Sequence, residues 1–177
     1  MRVRKQKAIH AARDLLHQMN VTTVPVPVTR IAQDLGIDVR AAKHDTDLSG
    51  FIYCEAGETI IGVNLSHSEK RQRFTIAHEL GHYFLHSITG VHMDTAVQPR
   101  YRNEISSQGT NAEEIEANTF AAELLMPAYL IEQDMRHFDG VDISDDQEIG
   151  KLADRYGVSV QALTIRLANL GYLTLSL

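Results

Sequence analysis

Cysteine is nearly absent. Cys54 is the one thiol in 177 residues, so no internal disulfide can form. That usage fits a reducing compartment. Also missing is any apolar run long enough to span a bilayer. The basic start (Arg2, Arg4, Lys5, Lys7) is followed by no apolar stretch of signal-peptide type, so a cytoplasmic protein with no membrane partner is expected. No internal repeat or low-complexity tract is visible. Positive charge is short too: 17 Lys and Arg stand against 23 Asp and Glu, a formal net charge of −6. The deficit is uneven. Residues 1–45 carry eight basic and four acidic residues, or +4, which leaves nine against nineteen, or −10, for the rest. An acidic body argues against direct nucleic-acid binding. The basic leading segment reads as a solvated helix face.

What remains is an ordinary globular composition, 44% apolar and 23% charged. The length predicts a single domain over 1–177: a leading helix in 1–24, a core in 25–127, and C-terminal helices in 128–177. Residues 3–19 have the apolar spacing of an amphipathic helix. Val21–Val28, with Pro25 and Pro27, reads as an extended linker. Thr29 is placed to cap a short helix over Arg30–Leu35. A short strand follows at Ile37–Arg40. Phe51–Cys54 and Thr59–Val63 flank Glu55-Ala56-Gly57-Glu58 as a hairpin, with Cys54 a half-buried strand residue. Ser66 and Glu69 resemble a capping box for the next helix. Residues 87–110 show no periodicity and read as a long loop. A strong helix runs from about Ala112 to Met126, and Phe120, Leu124, Leu125 and Met126 on it are core. Pro127 opens another helix, and 139–146 is an acidic loop. Helices over Glu148–Tyr156 and Ser159–Leu170 break at Gly157, and Leu173–Leu177 reads as a last strand. The fold class is therefore α+β, with a small antiparallel sheet beside a helical core.

Chemistry concentrates in Phe74–His86, FTIAHELGHYFLH. His78 and His82 stand four apart, so on a helix both rings face one point and can share a metal ion. Glu79 lies beside them, suited to take a proton from water rather than to ligate. Gly81 costs a helix up to about 1 kcal/mol relative to Ala, which a close approach by a neighbouring backbone or by a ligand would justify. Two histidines leave a catalytic metal one ligand short. The spacing with a third histidine six residues on is excluded, because Ile88 stands there and Leu85 replaces its glycine. His86 lies too far along the helix to join; it and His92 read as structural or exposed. Glu113, Glu114 and Glu116 open the later helix. Glu114 is preferred as third ligand, with Glu113 the alternative, because Asn118 four residues on could orient a ligand histidine through its second ring nitrogen. Acidic residues in a first turn also suit the helix dipole without any metal. For an oxyanion donor, Arg100, Tyr101, Arg102 and His92 all qualify.

Phe74–His86 together with Glu114–Pro127 (EIEANTFAAELLMP) closely resembles the ImmA/IrrE family of metallopeptidases. The likeness extends to Ser49–Asn64, to Arg102 with Ser106-Ser107, and to the C-terminal helix pair, covering roughly residues 25–170. The resemblance implies a zinc (Zn2+) site of His78, His82 and Glu114, with Glu79 as general base. It also implies cleavage of a specific helix-turn-helix repressor. Manganese or another divalent ion could fill the same ligand set. The rival expectation is a non-catalytic repressor-binding module with a structural metal. The 152–167 segment has a helix-turn-helix look of its own. With three basic and two acidic residues from Glu148 to Leu170, it is expected to pack or to dock a partner.

Overall fold

The computed structural model describes residues 3–43, 48–95, 108–137 and 146–173. Among the described residues, seven helices and four strands follow in the order α1 (Lys5–Gln18), α2 (Val28–Asp34), β1 (Asp38–Ala42), β2 (Leu48–Glu55), β3 (Glu58–Asn64), α3 (Glu69–Leu85), β4 (Gly90–Thr95), α4 (Gln108–Leu125), α5 (Ala128–His137), α6 (Asp146–Tyr156) and α7 (Val160–Asn169). The class is α+β, as expected.

The sheet runs β1-β3-β2-β4. It is mixed rather than antiparallel, because β1 pairs parallel to β3 while β2 pairs antiparallel to both β3 and β4. The expected hairpin is β2–β3. Its two-residue loop, Ala56-Gly57, has φ of 53° and 84°, the left-handed pair that matches strand twist. Strand β4 corrects the loop expected over 87–110: Gly90–Thr95 pairs with Leu48–Cys54 across a bulge. Its pattern is hard to see in sequence because Val91 and Met93 face outward, 53% and 64% exposed.

Helix α3 is the centre of the molecule. Every residue from Thr75 to His82 is buried, two full turns without a solvent face. It packs on β2 and β3, on α2, and most extensively on α4. Its cap is Ser68, whose hydroxyl accepts from the Arg71 N–H, so the Ser66–Glu69 box was misplaced by two residues. Asn64 holds the preceding turn instead, donating to the Leu48 carbonyl and accepting from the Ser66 N–H. Thr29 does not cap α2 either; the helix starts at Val28, with Pro27 before it. The 21–28 stretch is more than a linker, since Val26 and Val28 are fully buried and the Arg73 guanidinium donates to the Val26 carbonyl at 2.9 Å.

Helix α1 is not merely solvated. Arg4 and Arg13 reach across to Glu116 and Glu123 of α4 at 2.8 and 2.9 Å. In the C-terminal pair, α7 buries Leu163, Arg166 and Leu167, and Arg166 donates to the Met126 carbonyl and to Glu123. Tyr156 at the end of α6 is buried and donates to Asp134 of α5 at 2.9 Å. The pair is thus bound into the core through Tyr156, Leu163, Arg166 and Leu167, packing that does not by itself make it a helix-turn-helix. Among the described residues no helix is long and apolar enough to cross a membrane. Arg100, Tyr101, Arg102, Ser106, Ser107, the acidic stretch 139–145 and residues 174–177 of the expected last strand lie outside the described residues.

Candidate metal centre

The site forms where α3 crosses α4. Gly81 permits the approach: a Cβ there would sit 2.9 Å from the Ala117 Cα, 3.0 Å from its carbonyl oxygen and 3.2 Å from the Phe120 Cβ. With the two backbones this close, Glu114 reaches the histidines. His78 Nε2 and His82 Nε2 are 3.0 Å apart, and Glu114 carboxylate oxygens lie 3.3 and 3.4 Å from them. A tetrahedral ion bonded at about 2.0–2.2 Å would have ligand-to-ligand edges of roughly 3.3–3.6 Å. The donor triangle is close to that size, and two imidazoles with a carboxylate suit zinc. The triad can hold a metal ion. Glu114, not Glu113, is the carboxylate brought to this point. Because α4 begins at Gln108, the glutamates stand in its second turn or later, so a first-turn dipole role does not account for them.

Electrostatics favours the ligand forms. Burial, reinforced by nearby His78 and His92, lowers the His82 pKa to about 4 against the pull of Glu114, so the ring is neutral and its lone pair available. Burial pushes the Glu114 carboxyl upward, but its contacts with His78, His82 and His92 outweigh it and hold the group well below the usual carboxylate range. Glu79 is fully buried on the same helix.

The second ring nitrogens are also occupied. His78 Nδ1 is 3.1 Å from Asn118 Oδ1, so with Nε2 turned to the site the Nδ1–H donates to the amide oxygen. His82 Nδ1 is 3.1 Å from His86 Nδ1, and His86 Nε2 is 3.2 Å from Glu116 Oε2. His86 therefore stays out of the ligand triangle, as its distance along the helix requires, but backs one ligand directly. Sequence reasoning missed this; its signal was the third histidine of the i, i+4, i+8 stripe. His92 is the other surprise. Carried on β4, its ring lies 4.2 Å from that of His82 and its Nε2 is 3.5 Å from Glu114 Oε1. The hydrogen bond to Glu114 raises its pKa against burial, and the Glu79 charge adds to the rise. Of the four oxyanion candidates it is the one within the described residues. Cys54 remains a half-buried strand thiol away from the triad.

Comparison with known proteins converges on the same stretch. The family model of the IrrE N-terminal-like domain, peptidase family M78, matches residues 32–168. The uncharacterized immunity region protein 2 of Bacillus phage phi105 is 27% identical over 103 residues, covering 58% of this chain and 60% of that protein. The chain thus spans under two thirds of that relative's length. With the family match extending over most of its residues, the chain belongs to the M78 peptidase family, the ImmA/IrrE group its metal-helix motif resembles.

Proposed function

We propose that this protein is a zinc-dependent endopeptidase whose target is a helix-turn-helix repressor inside the cell. One observation carries the reading: α3 and α4 bring His78, His82 and Glu114 together beside the buried carboxylate of Glu79. The three side chains would hold the ion, with manganese or another divalent cation the alternative occupant. When bound, the ion supplies a Lewis acid for the substrate carbonyl and acidifies water. Glu79 takes the proton of the attacking water and returns it to the leaving nitrogen. His92 donates from Nε2 toward the carbonyl oxygen as it gains charge, a role supported by its place beside Glu114. Asn118 keeps the His78 ring in the ligating tautomer.

Strand addition of the substrate to Thr59–Val63 is ruled out by topology, because β3 is paired on both edges. Among the described residues β4, which carries His92, is a terminal strand whose outer edge an extended peptide could join. A repressor target accords with the designation of the phage relative as an immunity region protein. A non-catalytic binding module is disfavoured by Glu79: a structural site needs no buried general base and fills its fourth position with protein.

Glu79→Gln tests the reading. Zinc-loaded wild type and variant are incubated with candidate helix-turn-helix repressors, and cleavage is followed by mass spectrometry. The variant should bind zinc like wild type and cleave roughly 10²- to 10⁴-fold more slowly. Cleavage at the wild-type rate by Glu79→Gln would remove Glu79 from the mechanism.

A further inference from the structure

We infer that the leading helix sets how tightly the metal centre binds its ion, through a relay of side chains running Arg4–Glu116–His86–His82. The inference rests on the metal-site reading, and its first member, Arg4, precedes the matched range 32–168 that holds the other three.

Each hydrogen in the relay has one possible place. His82 turns Nε2 to the site, so its proton is on Nδ1, 3.1 Å from His86 Nδ1. That nitrogen must accept, which puts the His86 proton on Nε2, 3.2 Å from Glu116 Oε2. Glu116 is then the end of a one-directional chain, and its side chain is only 2% exposed. A buried carboxylate needs compensation. Arg4 supplies it three times: its guanidinium donates to Oε2 at 2.8 Å and to Oε1 at 3.1 Å, and its backbone N–H donates to Oε1 at 2.7 Å. An anchored carboxylate behind an imidazole fixes the ring and strengthens it as a ligand, an effect worth 10- to 100-fold in metal affinity in general. The two ligand histidines are therefore unequal, because His78 is backed by the neutral amide of Asn118 and His82 by a negative charge two residues away along the relay.

The competing account is that Arg4–Glu116 merely ties α1 to α4. The molecule contains its own control. Arg13–Glu123 joins the same two helices at 2.9 Å, but Glu123 touches Arg166 and the Ala128 N–H rather than a site histidine. Arg4, Glu116 and His86 are thus positioning residues, and Arg13 is a tie.

The experiment is a competition titration of zinc between a chromophoric chelator and the full chain, with thermal unfolding of each metal-free variant recorded alongside. Glu116→Gln and His86→Phe should weaken zinc binding roughly ten-fold or more, and Arg4→Gln by a smaller factor. Arg4→Lys should recover most of the loss. The Arg4→Gln, Glu116→Gln double variant should be no weaker than Glu116→Gln alone, since both act through one path. The visible spectrum of the cobalt-loaded relay variants should shift from that of wild type. Arg13→Gln should leave affinity and spectrum unchanged. Wild-type affinity in the relay variants, or an equal loss in Arg13→Gln, overturns the relay while leaving the metal site standing. A wild type that takes up no zinc overturns both.

Discussion

At the scale of single residues, the candidate centre is a set of polar side chains largely in contact with one another, and the sequence showed the expected ligands better than their supports. His78, Glu79 and His82 were legible because a helix imposes their geometry on any chain with that spacing. Glu114 was legible through Asn118, four residues on, and through the family resemblance, while spacing alone left Glu113 open; the packing of α4 on α3 brings the Glu114 carboxylate to the histidines. The contacts of His86 and His92 were not legible for a plain reason. Their positions depend on contacts with Glu116 and on the pairing of β4, neither of which local periodicity encodes. Tyr156 shows the same rule away from the site. Burial, then its hydrogen bond to Asp134, pushes the phenol far above its ordinary value near 10. A raised folded-state pKa favours the protonated form, so this contribution is complete below about pH 10 and shrinks as pH rises beyond that. Wild type should therefore lose stability above about pH 10 more steeply than Tyr156→Phe, which is less stable at neutral pH but lacks this titration. Denaturant midpoints at pH 8 to 11 would show it; parallel pH profiles would refute it.

At the scale of elements, the crossing of α3 and α4 decides whether there is a site at all. A glycine in the middle of α3 looked like a cost in sequence, and the structure gives the cause: Ala117 occupies the space of a side chain. Gly81→Ala gains up to about 1 kcal/mol of helix propensity but overpacks the crossing by about 1–3 kcal/mol. The net effect should be destabilising by up to about 2 kcal/mol, with weaker metal binding as Glu114 is pushed from the histidines. Gly150→Ala in α6 meets nothing within 4 Å and should instead stabilise by up to about 1 kcal/mol. Urea unfolding of the two metal-free variants compares them directly. Equal stabilisation by both would mean that the helices do not cross at Gly81. The helix pattern was readable because apolar spacing persists over many residues. The parallel β1–β3 pairing and the existence of β4 were not, because both depend on partners distant in sequence.

At the scale of the whole molecule, ion pairs tie both ends of the chain to α4. The basic start of the chain compensates the glutamates of α4, and Arg166 of α7 joins the same network at Glu123. The uneven charge count was visible in sequence, but not its purpose, since only the packing of α1 on α4 pairs the two signs. Breaking a buried pair by removing one partner typically costs about 3–5 kcal/mol. Arg166→Met should approach the low end, because Arg13 still faces Glu123; a loss under about 0.5 kcal/mol in thermal unfolding would show that the pair carries nothing. The architecture thus brings His78, His82 and Glu114 together on the helix that buries Glu79, the arrangement on which the proposed peptidase rests. The most direct test is bound metal per chain after mild purification and zinc addition, for wild type, Glu114→Ala and Glu113→Ala. About one ion in wild type and Glu113→Ala, lost in Glu114→Ala, is the predicted result for a three-ligand site. No metal in wild type, or loss in Glu113→Ala with retention in Glu114→Ala, would contradict the assignment of the centre.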